Sequence, residues 1–484
     1  MKLRLACFGT PGGRAPLGPW LGVVLLAVVG SGCAHFPVNA PLTASDASGY
    51  RFSHSSSPTN SGELLLLLAF SGGGMRSSAV SYGVLQELDR TPVGLPGHHH
   101  SLLNEVDAIS SVSGGTFTAA AYALWGQRLF VDFEKQFLKR QIENAVLLRS
   151  LTPRSRVRLA SPTFNLSDLA AEYYDQILFN GATYRDLAAI PGRPFLLINA
   201  TDFGLGERFP ITQDQFDLIG SDLSRLALSR AVAASVAFPV LLSPIVLKNY
   251  SSKCPRPEPE WISAVLADPD APAWQKDRAL AARSYRANAE QRPFIHLLDG
   301  GTTDNQALLS LAEVLDRASV GDGSGEPALR KVRRIAVIMV DADVGVETCS
   351  DVREQPPSIQ ALFSGVMLTM LRRHSFDSAE LFRQTARRIA REHEAARQTV
   401  GLDRATPPAE AVPPGSNLYL IELHFGRLAN TADRQFFNAV PTRLQLPAKS
   451  VDRLIELARR ELGSNAEYRR LVRDLSAPAM GGPR

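Results

Sequence analysis

The chain alternates between short, mainly apolar runs and longer stretches of helical spacing. Leu64 to Phe70 (LLLLLAF) is the clearest run, and similar ones follow at Val106 to Val112, Phe195 to Ala200, Phe294 to Leu298, Ile335 to Val340 and Leu418 to Phe425. A run that is apolar at every position, ending in glycine or another turn residue, predicts a strand buried on both faces. Between these runs, Ala79 to Asp89, Gly114 to Tyr122, Leu226 to Ala233, Gln306 to Ala318 and Val451 to Leu462 carry the spacing of helices. Strands alternating with helices predict an α/β protein with a mostly parallel central sheet covered on both sides.

Two segments depart from that rhythm. Residues 251–292 hold PRPEPEW and an Ala/Arg-rich stretch, and read as an insertion or long excursion. Ser358 to Gln398 predicts one long helix, with Met367, Leu368, Leu371 and Phe382 apolar. At such spacing these residues suit a packed face better than a ligand pocket or a membrane contact. No internal repeat is present. The boundaries expected are a leader over 1–32, a flexible tether over 33–61, one large domain over 62–465 and a tail over 466–484.

The leader rests on charge and length. Lys2, Arg4 and Arg14 precede the apolar run Leu21 to Val29, which is shorter than the ~20 residues a spanning helix needs. Gly30, Ser31 and Gly32 then lead to Cys33, the layout of a secretory signal and similar to a bacterial lipobox, although Gly30 stands where an aliphatic residue is usual. Acylation of Cys33 would place the protein at the bacterial cell envelope, on the outer membrane or its periplasmic face. Cleavage nearby without lipid would make it secreted. Loss of the leader removes three positive charges and no negative one, so the formal charge of +4 falls to +1. That balance gives no reason to expect a nucleic-acid partner. Of the four cysteines, Cys7 leaves with the leader, and Cys254 and Cys349 could form one bridge or stay separate thiols.

Three segments carry candidate chemistry. Ser111-Val112-Ser113-Gly114-Gly115 follows a predicted strand and opens a predicted helix, the layout of a nucleophile elbow in which the turn strains and projects the central serine. Ser111 replaces the first glycine of G-x-S-x-G, and Ser113 would also serve as a helix N-cap. Ser71-Gly72-Gly73-Gly74-Met75-Arg76 closes the first strand; consecutive glycines leave backbone N–H groups open to an oxyanion, whereas the Lys-Ser/Thr ending of a phosphate loop is missing. Leu298-Asp299-Gly300-Gly301 places a carboxylate at a strand end, where it could deprotonate a serine or simply form an Asp-Gly turn. No histidine completes a triad: His35 and His54 belong to the tether, His98 to His100 to a Pro/Gly loop, His296 to a strand, and His374, His393 and His424 lack a catalytic context. Asp341 and Asp343 lack the accompanying ligands of a metal site, so neither metal nor cofactor is expected.

Taken together, SGGGMRS, SVSGG and LDGG, in this order and each at a strand end, resemble the patatin-like phospholipases. Arg230 to Pro239 (RAVAASVAFP), Asp304-Asn305 and Pro441-Thr442 are similar to further segments of bacterial lipoprotein-type members. The resemblance covers roughly Leu64 to Leu462. It implies a three-layer α/β/α patatin-like fold and a Ser–Asp dyad of Ser113 and Asp299. It also implies an oxyanion loop of Gly72, Gly73 and Gly74, and Arg76 as loop support or a contact for a substrate phosphate. The function implied is ester hydrolysis of membrane phospholipid or another lipid ester. A membrane-tethered binding protein that retains the fold without catalysis is the alternative.

Overall fold

The computed structural model describes residues 34–43, 49–52, 60–94, 100–239, 241–254, 256–318, 332–344, 358–400 and 417–476. The leader 1–32, Cys33 and Cys349 lie outside the described residues. Eight strands form the main sheet: β1 (Leu64–Phe70), β2 (Val106–Val112), β3 (Phe195–Asp202), β4 (Glu207–Pro210), β5 (Ile245–Lys248), β6 (Phe294–Asp299), β7 (Arg334–Asp341) and β8 (Leu418–His424). Their order is β8-β7-β1-β2-β3-β6-β5, with β4 paired to β3. Neighbours from β8 to β3 run parallel, whereas β6 is antiparallel to both β3 and β5.

The alternating directions of side chains explain the continuous apolar runs. On β1, Leu64, Leu66, Leu68 and Phe70 enter one core cluster, while Leu65, Leu67 and Ala69 enter the other. β7 divides in the same way, with Ala336, Ile338 and Val340 against Ile335, Val337 and Met339. The first core lies under α1 (Gly74–Arg90), α2 (Gly114–Trp125), α3 (Ile142–Ser150) and α5 (Leu228–Ser235), whereas α4 (Pro153–Leu159), between the last two, buries only Ser155. Residues 251–292 form α6 (Glu260–Ala267) and α7 (Ala273–Ala287), which bury Ile262, Ala279, Ala282 and Tyr285 in that core. After the single turn α8 (Gly301–Asp304), the second core is covered by α9 (Leu309–Ala318) and the 42-residue α10 (Ile359–Val400), through Leu311, Leu315, Phe382 and Ile389. Of the apolar face read on α10, Phe382 is buried; the side chains of Met367, Leu368 and Leu371 lie outside the described residues. Helices α11 (Thr431–Ala439), α12 (Ala448–Ser464) and α13 (Ala466–Ser476) end the chain. No helix among the described residues is long and apolar enough to cross a membrane.

Two boundaries differ from the sequence reading. The tether showed no core-forming pattern in the sequence, yet Ala40–Pro41 pairs with Ser221–Asp222, Phe36 and Phe52 are buried, and Tyr50 stacks on Phe195 at 4.6 Å. Isolated aromatics in a Ser/Pro-rich stretch find partners far along the chain, which no local periodicity reveals. Residues 466–476 of the tail form α13. The Asn465 side chain accepts the Glu467 and Tyr468 N–H groups and restarts the helix, which buries Tyr468, Leu471 and Leu475.

Candidate active site

The sheet registers bring the candidate residues together. Val112 at the end of β2 is level with Asn199, and the next residue of β3, Ala200, is paired with Asp299. Ser113 therefore leaves β2 at the height where β6 presents its carboxylate. The sequence placed Asp299 at a strand end in a mostly parallel sheet; β6 runs antiparallel to both neighbours, and register rather than strand direction delivers the residue.

Ser113 sits in a strained turn, with φ 50° and ψ −123°, immediately before α2. A non-glycine residue in that region costs on the order of 1–3 kcal/mol and persists only where its surroundings enforce it. The enforcement is visible. The Ser113 N–H donates to Ser235 Oγ at 3.0 Å, and the Ser235 hydroxyl donates to the Asn199 carbonyl at 2.7 Å. A Cβ on Gly114 would lie 1.9 Å from the Gly74 carbonyl oxygen, so only glycine lets the starts of α1 and α2 approach so closely. Ser111, the departure from the elbow pattern, is buried in β2 and donates to the Leu197 carbonyl at 3.3 Å. Its hydroxyl is satisfied, so the small replacement is tolerated.

Ser113 Oγ donates to Asp299 Oδ2 at 2.8 Å, while Asp299 Oδ1 accepts the Gly301 N–H at 2.8 Å. Asp299 is 4% exposed. Burial raises its pKa to about 6, against the opposing pull of the Gly301 N–H and the Ser113 hydroxyl. Among the described residues, no histidine hydrogen-bonds either group.

The glycine loop splits in its roles. Gly72 donates its N–H to the Asn305 carbonyl at 2.9 Å, so it holds the loop to the segment after Asp299 rather than offering a free donor. Gly73 and Gly74 adopt φ 138° and 60°, and their N–H groups meet no acceptor among the described residues. The same holds for Gly114, the first residue of α2. A Cβ on Gly74 would lie 2.6 Å from the Arg443 carbonyl oxygen, which also accepts the Met75 N–H at 2.8 Å. The 441–443 segment thus fixes the loop from outside.

Arg76 is 1% exposed and turned away from Ser113 chemistry. Its guanidinium donates to the Ala342 carbonyl at 2.9 Å, the Val440 carbonyl at 2.5 Å and Thr442 Oγ1 at 3.0 Å, over the Phe437 ring at 5.3 Å. Of its two expected roles, loop support fits and contact with a substrate phosphate does not. An ammonium cannot reproduce this fork. Arg76→Lys should therefore cost about 2–4 kcal/mol, lowering Tm by about 2–4 °C in thermal unfolding of a chain this long. The change in KM should not depend on the substrate head group, because the guanidinium is committed to these three oxygens.

The remaining candidates lie apart from the elbow. Cys254 is half-buried, its Sγ 3.8 Å from the Asp217 carbonyl oxygen. Asp341 and Asp343 do not gather metal ligands; among the described residues no group of three or more such side chains does. Asp341 instead joins His424, whose ring nitrogens lie 3.1 Å from Asp341 and 2.9 Å from Glu422. Those two carboxylates hold His424 protonated up to about pH 9. The sequence reading gave His424 no context because its partners come from two strands. Ser235, Asn199 and Gly114 were also missed as supports. For Ser235, its place in RAVAASVAFP was the only signal available.

A strained serine thus stands between strand and helix, facing a buried carboxylate, in an α/β protein with helices on both faces of an eight-stranded sheet. The chain belongs to the patatin-like phospholipase family, whose model matches residues 68–311. No curated protein matches it. Similar solved structures include human GIVD cytosolic phospholipase A2, at 13% identity and a TM-score of 0.43, covering 86% of this chain and 62% of that one. The same human enzyme in complex with methyl gamma-linolenyl fluorophosphonate matches at 13% identity and a TM-score of 0.40, covering 86% and 59%. The chain thus spans less than two thirds of those proteins.

Proposed function

We propose that the protein is a serine acyl hydrolase that cleaves ester bonds of phospholipids or related lipids through a Ser113–Asp299 dyad. One observation carries this reading: the hydrogen bond from the strained Ser113 hydroxyl to a buried carboxylate. Asp299 Oδ2 takes the Ser113 proton as Oγ attacks the acyl carbonyl, and the ester C–O bond breaks once the alcohol receives that proton. Water, deprotonated by the same carboxylate, then releases the acid from the acyl-enzyme. The unpartnered N–H groups of Gly73, Gly74 and Gly114, at two helix starts, stabilise the oxyanion. Gly72 supports that loop without donating to the oxyanion.

The raised pKa of Asp299 fits a base working near neutrality and sets the sign of the pH dependence. The carboxylate must be ionised to act, so kcat/KM should rise with pH up to about 6 and then level off, falling about tenfold per unit below it. A pH series on a water-soluble ester measures this; a rate constant flat from pH 4 to 8 would contradict the assignment. Export and acylation at Cys33 belong to the same reading and place the enzyme beside lipid at the bacterial envelope. Fatty-acid release from a panel of defined phospholipids tests the substrate class, with mass spectrometry of the N-terminus testing the anchor.

A further inference from the structure

The helix pair α3–α4 carries apolar residues on the wrong side. Ile142 and Val146 bury one face of α3 in the core, yet Leu147, Leu148 and Leu151 on the opposite side are 59%, 67% and 51% exposed. Val157 on α4 adds a further 41%-exposed apolar group. Large apolar side chains exposed together on one short segment suit an interaction site. Charge names the partner: residues 139–158 hold six basic residues and the single acid Glu143, which is paired with Arg443 at 2.8 Å. Lys139 pairs with Glu134 and Asp452 and Arg158 with Glu172, which leaves Arg140, Arg149, Arg154 and Arg156 without an ion pair among the described residues. Arg154 and Arg156 are exposed and have no acidic partner among the described residues.

Two further placements converge on this face. The described chain begins at Ala34, whose carbonyl accepts the hydroxyls of Ser161 at 2.6 Å and Thr163 at 3.1 Å, just beyond α4. The start of α3 is tied to the glycine loop's support, because Glu143 also accepts the Leu444 N–H at 2.6 Å, beside the Arg443 carbonyl that holds Met75.

We propose that the outer face of α3–α4 is the protein's docking surface for an anionic phospholipid bilayer, with the leucines entering the acyl boundary and the arginines meeting lipid phosphates. The face rests on the hydrolase reading for its purpose, since it would bring the site to an interfacial substrate, but its test is independent of catalysis. Leu148→Cys in the full chain, labelled with an environment-sensitive dye, should become at least about twofold brighter and shift blue on phosphatidylcholine vesicles containing phosphatidylglycerol. The unsubstituted chain, treated identically, controls for native thiols. Arg154→Gln with Arg156→Gln should reduce that response several-fold while leaving hydrolysis of a soluble ester unchanged. An unchanged dye spectrum on the anionic vesicles would overturn the proposal, as would an equal response on pure phosphatidylcholine. A parent protein inert towards soluble esters would instead sink the hydrolase reading and leave the dye result standing.

Discussion

Ser113→Ala should abolish ester hydrolysis, lowering kcat by at least about 10⁴-fold, because no other hydroxyl takes the place of the attacking oxygen. The loss should be chemical and not structural. Alanine keeps the Cβ that the elbow already accommodates, and the backbone bond from residue 113 to Ser235 does not involve the deleted hydroxyl. Steady-state kinetics on purified protein, together with its thermal unfolding curve, separate the two causes. An unfolded variant would say nothing about the nucleophile, whereas a folded and active one would remove Ser113 from the mechanism.

Asp299→Asn should lower kcat by about 10³–10⁴-fold, since the amide cannot accept the serine proton. Its geometry fits the same pocket: the amide oxygen can accept the Gly301 N–H while the amide nitrogen donates to Ser113 Oγ. Stability should move in the opposite direction to activity. A carboxylate whose folded pKa is raised from 3.8 to about 6 favours the folded state when protonated, and that contribution is lost as pH rises through 6. At pH 8 the ionised Asp299 therefore burdens the fold, by on the order of 3 kcal/mol from the shift, and the neutral Asn relieves it. Tm of Asp299→Asn should match or exceed that of the parent at pH 8, with the difference shrinking towards pH 5. The residual activity should also lose the acid limb near pH 6. A variant that keeps its rate, or one that keeps the acid limb, would show that a different group is the base.

The fold was largely legible because its central strands are buried on both faces. LLLLLAF at β1 and VDAISSV at β2 begin and end where the apolar and small-residue runs do, since no solvent-facing position interrupts them. The short strands β4 and β5 were not legible. Four residues such as IVLK have no periodicity of their own, and their pairing to β3 and β6 exists only in three dimensions. The direction of β6 was hidden for the same reason. In the site, Ser113 and Asp299 could be read because each stands at a strand end among glycines that close packing demands. Arg76 was misjudged in part, because its position after the loop carries no sign of the three oxygens waiting across the core. The division of work within Gly72, Gly73 and Gly74 was equally invisible: Asn305, which takes the Gly72 N–H, follows more than 200 residues later.

Covalent labelling by a fluorophosphonate probe tests the dyad most directly, because phosphonylation of a hydroxyl at neutral pH requires an activated nucleophile. The account predicts one probe per chain on the peptide containing Ser113, no labelling of Ser113→Ala, and labelling of the parent that slows as pH falls below about 6. Equal labelling of Ser113→Ala, or no reaction of the folded parent at pH 8, would contradict it.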